Sequence, residues 1–210
     1  MEIHSHTGGP VATNGYIVAD QRTGHAAIID APHGVAAPLL AIAARRKWTV
    51  KYLLLTHGHW DHTADHQLIT DAFPAARVLI HRLDEPKLTQ PGSAMFPIPF
   101  VIPSRKADAY LEDNAEVSLG DGKLVVMFTP GHAPGHVCLY SAADSVLFAG
   151  DLLFAQSIGR TDLPDSNPRD MQTSLQRVMH LPDETLVYSG HGPSTTIGRE
   201  RQINPWLQSR

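Results

Sequence analysis

The chain has 210 residues, of which 42% are hydrophobic and 18% charged, a composition typical of a globular protein and not of a disordered or collagen-like one. Its 17 basic and 21 acidic side chains give a net charge of -4, so no overall positive field is present to hold a nucleic acid. The single cysteine, Cys138, cannot form an intrachain disulfide, and the start of the chain lacks a signal-peptide pattern. No apolar run reaches the roughly 20 residues of a membrane span. We therefore expect a cytoplasmic protein with neither nucleic acid nor a membrane as partner.

The first part of the chain is predicted to form a β-hairpin, a helix and a buried strand. Residues 15–19 and 26–29 are apolar and contain β-branched side chains, with turn residues between them. Residues 35–46 are rich in Ala and Leu and end in basic side chains, which suits the last turn of a helix. The apolar run 50–55 indicates a strand buried on both faces, and it leads directly towards His57.

The rest of the chain continues as an alternation of strands and helices. A helix is predicted over 64–73 and a strand over 78–81, whereas 86–106 carries five prolines and is predicted to be an irregular loop near the site. Further predicted elements are the strands 123–128, 137–140, 146–148 and 186–188, the loop 155–168 and the helix 169–179. Because no repeat or linker-like segment interrupts this order, we predict one domain over residues 1–210 with layered α/β packing.

The most informative segment is an H-x-H-x-D-H motif, His57-Gly58-His59-Trp60-Asp61-His62. Two imidazoles that are two residues apart point the same way on an extended segment, so His57 and His59 can hold one metal ion. Asp61 and His62 fall on the following turn and can face a second ion. This short segment therefore supplies ligands for two metal ions.

Three more residues of metal-ligand type each follow a glycine where a predicted strand ends. They are His132, Asp151 and His191. Any one of them has an ordinary structural explanation, but three together with the dense motif predict a metal site. A second H-x-H, formed by His4 and His6, has no following carboxylate and is expected to lie exposed on a strand.

These motifs resemble the metallo-β-lactamase superfamily, and within it the glyoxalase II (hydroxyacylglutathione hydrolase) branch. The resemblance runs from the Asn14-Gly15-Tyr16 strand to the C-terminal motif, through the segments Thr56 to His62, Pro130-Gly131-His132, Gly150-Asp151 and His191-Gly192-Pro193. It implies a fold of the α/β (α+β) class, a four-layer αββα sandwich, with a binuclear metal site at one edge of the two sheets.

The resemblance also implies which residues bind the two divalent ions. The first ion is assigned to His57, His59 and His132, the second to Asp61, His62 and His191, and Asp151 is the bridging ligand. Imidazole and carboxylate ligands suit zinc, iron and manganese, of which zinc is our first expectation.

The expected reaction is hydrolysis of a small anionic thioester by a hydroxide that bridges the two ions. Each ion lowers the pKa of its water, and Asp61 is expected to orient the hydroxide while also acting as a ligand. A thiol with a pKa near 8.5 leaves as thiolate without a general acid, so a thioester suits the site. Arg160 occupies the position where glyoxalase II enzymes place a lysine that helps to hold the glutathione carboxylate, and it is our candidate substrate-binding residue.

The sequence departs from full-length glyoxalase II after His191, since only 19 residues follow it. We therefore expect no separate C-terminal glutathione-binding helical domain and a resemblance to the short, single-domain bacterial members. Two other activities use the same motifs: a persulfide dioxygenase with one iron held by His57, His132 and Asp151, and a lactonase or weak β-lactamase. Metal content, oxygen uptake and a substrate panel distinguish the three activities.

Overall fold

The computed structural model describes residues 1–93 and 97–208, which form two six-stranded sheets, a small two-stranded sheet and flanking helices. The first sheet contains β1 (Glu2–Gly8), β2 (Thr13–Ala19), β3 (His25–Ile29), β4 (Thr49–Leu54), β5 (Arg77–Ile80) and β6 (Ala109–Tyr110). The second contains β7 (Glu116–Leu119), β8 (Gly122–Phe128), β9 (Val137–Ser141), β10 (Val146–Gly150), β13 (Leu186–Ser189) and β14 (Thr195–Thr196). The small sheet pairs β11 (Leu153–Phe154) with β12 (Ser157–Ile158). The helices are α1 (Ala36–Arg46), α2 (Trp60–Thr63), α3 (His66–Ala72), α4 (Glu85–Thr89), α5 (Pro168–Val178) and α6 (Ile197–Ile203).

Parallel pairing places several strand ends at one edge of the molecule. The first sheet has the order β1-β2-β3-β4-β5-β6, antiparallel as far as β3 and parallel from β3 to β6. The second has the order β14-β13-β10-β9-β8-β7, in which β10 and β13 are parallel. Chain segments that leave β4, β10 and β13 therefore carry their side chains towards a common edge.

The layers follow from the two-residue period of the strands. Ile17, Ile28 and Leu53 pack against α1 on the outer face of the first sheet, while neighbouring side chains such as Val18 and Leu54 face the second sheet. On the outer face of the second sheet α5 buries Met171, Leu175 and Val178, a spacing that lies on one side of a helix. The order helix, sheet, sheet, helix confirms the predicted αββα sandwich.

The predicted hairpin, the strand over 50–55 and the helix over 35–46 are confirmed with small shifts of their ends. In α1, Pro38 lies in the first turn, where a missing N–H costs no hydrogen bond, and Lys47 ends the helix in a left-handed conformation. The helix predicted over 64–73 is found as α3, over residues 66–72, and residues 64 and 65 form a turn that separates it from α2.

The irregular loop predicted over 86–106 is partly wrong, because α4 occupies its beginning. Pro86 stands in the first turn of α4, where a proline favours a helix instead of breaking it. The described residues after α4 are irregular up to β6, and the segment 94–96 lies outside the described residues. The loop predicted over 155–168 contains β12, which pairs with β11 over two residues only.

Among the described residues, no helix has the length and apolar character needed to cross a lipid bilayer.

Candidate metal centre

All seven predicted metal ligands meet at one edge of the two sheets. His57 and His59 follow β4, and Asp61 and His62 lie on α2. The second sheet contributes the ligands that follow β8, β10 and β13, which are His132, Asp151 and His191. Within the described chain, three sets of candidate ligand atoms lie within 4.8 Å of one another: His57, His59 and His132; His57, His62 and Asp151; and Asp61, His62 and His191.

Asp151 lies between the two predicted groups of ligands. Its Oδ2 is 3.4 Å from Nε2 of His132 on one side and 3.4 Å from Nε2 of His191 on the other. Its Oδ1 is 3.3 Å from Nε2 of His62. One carboxylate therefore contacts ligands of both groups, as a bridging ligand requires.

A glycine makes this close approach feasible. A Cβ atom on Gly190 would lie 2.1 Å from Oδ1 of Asp151 and 2.8 Å from the His62 ring, so any side chain there would displace both ligands. The glycine that precedes His191 in the sequence therefore has a steric function at the site.

Buried polar atoms at the centre fit a cation. Nε2 of His57, Nε2 of His62 and Oδ1 of Asp151 are buried and have no hydrogen-bond partner among the described residues. Leaving a buried polar atom without a partner costs about 1–3 kcal/mol, and three such atoms facing one another are a donor set of the kind that a divalent metal ion satisfies.

The histidines are held by oxygen atoms on the side away from the centre. Nδ1–H of His132 donates to the main-chain oxygen of Arg160 at 2.9 Å, and Nδ1–H of His191 donates to the main-chain oxygen of Val11 at 3.2 Å. Nδ1–H of His62 donates to Oδ2 of Asp30 at 2.8 Å. Each bond fixes the tautomer that directs a lone pair on Nε2 towards the centre.

Asp30 is a buried residue that the sequence analysis missed. Besides holding His62, it accepts hydrogen bonds from the main-chain N–H and the hydroxyl of Thr56, each at 2.8 Å. The Thr56 hydroxyl oxygen in turn lies 3.1 Å from Nδ1 of His57. The sequence contains a pattern that could have indicated Asp30, because this aspartate follows the apolar end of β3 in the same way as Asp151 follows β10.

Asp61 is held by the N-terminal part of the first sheet. The Thr13 hydroxyl donates to Oδ2 of Asp61 at 2.8 Å, and the same oxygen lies 3.4 Å from Nε2 of both His62 and His191. Thr13 also forms a β-bridge with His191, so the beginning of β2 meets the segment that follows β13.

Two histidines of the first group are uncharged at neutral pH. Burial, followed by neighbouring imidazoles, lowers the pKa of His57 well below its usual value and that of His59 to about 3. Both are therefore neutral at pH 7, which is the state in which an imidazole binds a metal.

The second group pairs histidines with carboxylates. Burial lowers the pKa of His62 and His191, but nearby aspartates outweigh it and raise the pKa of His62 well above its usual value and that of His191 to about 9. Burial likewise raises the pKa of Asp61, yet His62 and His191 bring it down to about 2. A cation that binds here replaces protons on these histidines.

His136, to which the sequence analysis assigned no role, contacts the candidate bridging residue. It is fully buried, and its Nε2 accepts the main-chain N–H of Asp151 at 3.0 Å. Burial lowers the pKa of His136 to about 3, so the ring is neutral and its lone pair is available for this bond.

A cavity of about 410 Å³ opens beside the ligands, within the roughly 300 to 1,000 Å³ usual for small-molecule sites. Trp60 lines it and packs on Ile102, and Lys87 and Arg160 also line it. The Arg160 guanidinium is exposed and bonds the Asp162 carboxylate at 2.6 and 2.8 Å. The structure thus places Arg160 at the cavity, and its predicted role towards a substrate stays a prediction.

Comparisons with known proteins show the family of the chain. The family model of the metallo-beta-lactamase superfamily matches residues 8–191. The probable metallo-hydrolase YqgX of Bacillus subtilis is 32% identical over 204 residues, which cover 95% of this chain and 94% of that protein. A hydroxyacylglutathione hydrolase of Maricaulis maris is 36% identical over 177 residues, which cover 84% of this chain and 61% of that protein.

Solved structures show the same fold. The B3 metallo-beta-lactamase BLEG-1 superposes with a TM-score of 0.89 at 35% identity, over 99% of this chain and all of that one. TTHA1623, solved in a di-iron-bound form, gives a TM-score of 0.84 at 35% identity, over 97% of this chain and all of that one. The chain therefore belongs to the metallo-beta-lactamase superfamily of hydrolases, whose members typically bind divalent metals.

Proposed function

We propose that the chain is a hydroxyacylglutathione hydrolase-like thioesterase that uses two divalent metal ions. The observation that carries the proposal is the position of the Asp151 carboxylate, which contacts His132 on one side and His62 and His191 on the other. His57, His59 and His132 hold the first ion; Asp61, His62 and His191 hold the second; and Asp151 lies between them.

Zinc is the proposed metal, with iron or manganese as alternatives. Seven nitrogen and oxygen ligands without a thiolate suit all three. The di-iron form of TTHA1623, a 35% identical protein, supports a site for two ions and keeps iron among the alternatives. The lone Cys138 is buried away from the ligands in the core of the second sheet, and burial raises its pKa to about 12, so it provides no thiolate.

Two divalent ions in these positions supply a water of lowered pKa and polarise a substrate carbonyl group. Asp61 is ionised at neutral pH, since its pKa is about 2, and it borders the cavity. Its carboxylate accepts a hydrogen bond from the attacking water and orients it. Thr13 keeps Asp61 in place through the bond to Oδ2.

The leaving group explains why a thioester suits this site. A thiol with a pKa near 8.5 departs as thiolate, so no acid has to protonate it. His57 and His59 cannot serve as acids at pH 7, because both imidazoles are neutral there. An ester or amide, whose leaving group is much more basic, is a poorer substrate for the same residues.

An anionic substrate fits the charge of the site. Two divalent ions bring four positive charges, of which Asp61 and Asp151 cancel two. Arg160 and Lys87 add cationic side chains to the lining of the cavity. We propose that Arg160 exchanges its pairing with Asp162 for a remote carboxylate of the substrate, with which a guanidinium forms two parallel hydrogen bonds.

The proposal is tested by metal analysis together with a substrate panel. Protein purified without added metal should contain close to two ions per chain, and should hydrolyse an anionic hydroxyacylglutathione thioester without oxygen uptake. One iron per chain, with oxygen consumed in the presence of glutathione persulfide, would instead identify a dioxygenase. The panel should also contain a lactone and a β-lactam.

Hydrolysis of β-lactams is the second candidate function. The observation in its favour is the superposition on BLEG-1, a B3 metallo-beta-lactamase, over almost the whole chain at 35% identity. A kcat/KM for a β-lactam above that for the thioester would replace the thioesterase assignment.

A further inference from the structure

We infer that Asp84 is a positioning residue that fixes the distance between the two loops carrying the first-group ligands His57, His59 and His132. The inference rests on the metal sites proposed above and assigns a function to a residue outside the ligand set. Asp84 lies between β5 and α4, far along the chain from both loops, and its side chain is fully buried.

Its carboxylate accepts one main-chain N–H from each loop. Oδ2 accepts the N–H of Gly58, between His57 and His59, at 2.7 Å. Oδ1 accepts the N–H of Gly135, in the loop that contains His132, at 2.8 Å. Because Gly58 follows a strand of the first sheet and Gly135 precedes a strand of the second, one carboxylate links the two sheets beside the first group.

The local sequence does not explain this use of Asp84. The residue stands just before α4, where an aspartate usually accepts hydrogen bonds from the first turn of the helix, but its side chain makes no such bond. It is directed to the ligand loops instead.

Both glycines allow Asp84 to approach the two loops closely. A Cβ on Gly58 would lie 2.7 Å from the Asp84 main-chain oxygen, and a Cβ on Gly135 would lie 2.7 Å from its nitrogen and 2.9 Å from its Cγ. The contact between Asp84 and the two ligand loops thus depends on three separate positions of the chain: Gly58, Asp84 and Gly135.

The contact has a consequence for the ligands. Nδ1 of His59 and Nε2 of His132 lie 2.9 Å apart, on the two loops that Asp84 connects. If the two hydrogen bonds to Asp84 are lost, these nitrogen atoms are free to move apart. The second group is held differently, since Asp61 is fixed by Thr13.

A cation also lies next to Asp84. Nζ of Lys87 is 3.5 Å from Oδ1 of Asp84 and pairs with Asp165 at the cavity. The test must therefore separate the effect of the two hydrogen bonds to Asp84 from the effect of its ion pair. Lys87→Met does this, because it removes the positive charge and leaves both hydrogen bonds in place.

The experiment titrates metal-free wild type, Asp84→Asn, Thr13→Val and Lys87→Met with cadmium and follows the two sites by cadmium NMR. The chemical shift separates a site of three imidazoles and the shared Asp151 carboxylate from one of two imidazoles and two carboxylates. An amide offers only one acceptor atom, so Asp84→Asn should weaken the first site by roughly 10- to 100-fold, the usual effect of a residue that orients ligands, and leave the second unchanged. Thr13→Val should do the reverse, and Lys87→Met should have a much smaller effect than Asp84→Asn.

Three results would overturn the inference. They are unchanged first-site affinity in Asp84→Asn, equal weakening of both sites in that variant, and an equal effect of Lys87→Met. If Asp84→Asn does not fold by circular dichroism, Asp84→Glu replaces it, because it keeps the charge and displaces both oxygens by one methylene group; wild-type affinity in that variant would also overturn the inference. No substrate is used, so a wild type that binds metal but hydrolyses no thioester counts against the proposed function alone.

Discussion

At the scale of single residues, the centre depends on how each imidazole ring is oriented. A histidine can bind a metal through either ring nitrogen, and the outer hydrogen bond decides which one. Main-chain oxygens of Arg160 and Val11 make this choice for His132 and His191. His59 differs, since its Nδ1 is the atom that faces His132. The ligand set is thus fixed as much by the oxygens behind the rings as by the rings themselves.

Replacing Asp151 with alanine should cost metal as well as activity. The variant removes the carboxylate that contacts both groups, so metal content should fall from about two ions to one or fewer and turnover by roughly 100-fold or more. Elemental analysis and a thioesterase assay measure both. Asp108→Ala, which removes a carboxylate distant from the centre, is the control. An Asp151→Ala protein that kept two ions and full activity would refute the bridging role.

Replacing Arg160 with alanine should raise KM and leave kcat nearly unchanged. The guanidinium is proposed to hold a remote carboxylate equally in the ground and transition states, so its loss removes uniform binding. A charge-assisted bond of about 1.5 to 3 kcal/mol corresponds to roughly a 10- to 150-fold lower kcat/KM. The main-chain oxygen that holds His132 stays in place in this variant.

A thioester without the remote carboxylate is the control substrate for Arg160. Wild type and Arg160→Ala should hydrolyse it equally well, and Arg160→Lys should recover part of the loss on the anionic substrate. Equal losses on both substrates would show that Arg160 acts through the structure of its loop, and the carboxylate-binding role would have to be abandoned.

At the scale of elements, Asp20 joins turns of the two sheets. It follows β2, accepts the main-chain N–H of Asp121 at 2.9 Å, and accepts the Thr23 hydroxyl at 2.7 Å. These hydrogen bonds, that from Asp121 first, lower the pKa of Asp20 to about 2. The ionised carboxylate therefore stabilises the connection between the β2–β3 turn and the β7–β8 turn.

The stabilisation by Asp20 should depend on pH. A carboxylate whose pKa is lower in the folded than in the unfolded chain contributes stability above its unfolded pKa of about 3.9, and the contribution disappears as the pH falls through about 2. Asp20→Asn should thus lower the free energy of unfolding at pH 7 and have little effect near pH 2. Urea unfolding at both pH values measures this, with the exposed Asp71→Asn as control. An equal loss at both values would assign the effect to packing.

The elements that the sequence predicts well are those with long apolar patterns. The helix over 35–46 and the strand over 50–55 carry their own periodicity, so both are found within a residue or two of their predicted ends. Strands β6 and β14 have two residues each and exist because a neighbouring strand offers hydrogen bonds. No local pattern encodes such pairs.

The same distinction holds at the site. Ligands from His57 to His62 form a local motif, and the three distant ligands follow glycines at strand ends. Asp84 was missed because its partners lie 26 and 51 residues away, and an aspartate before a helix has an ordinary explanation as a cap. Contacts of this kind are created by the packing of the sheets and have no signature in one segment.

At the scale of the whole molecule, the centre joins the two sheets. Four candidate ligands follow β4 of the first sheet, and His132, Asp151 and His191 follow strands of the second. A metal ion bound by ligands from both sheets holds the sheets together at this edge. It acts in addition to the hydrophobic core that lies between the sheets.

Removal of the metal should therefore lower thermal stability. Ions present at about a thousand times their Kd stabilise the folded state by about 4 kcal/mol per site, so a strong chelator should lower Tm by roughly 10 °C or more. Calorimetry before and after chelation measures this, and dialysis followed by added zinc should restore the wild-type Tm. The same chelator saturated with zinc is the control; an unchanged Tm in metal-free protein would contradict a structural contribution of the ions.

The bond between His191 and the main-chain oxygen of Val11 spans 180 residues, and the side chain of Asn14 reaches the main-chain oxygen of Gly192 across 178. Closing so long a loop is slow, because the chain entropy is lost before the contact compensates for it. During synthesis, the hairpin of β2 and β3 can pair as soon as it emerges, when the segment that faces Val11 has not yet been synthesised. The metal centre is thus among the last parts of the native structure that a nascent chain can complete, and a chain arrested before residue 192 would display the H-x-H-x-D-H loop without His191.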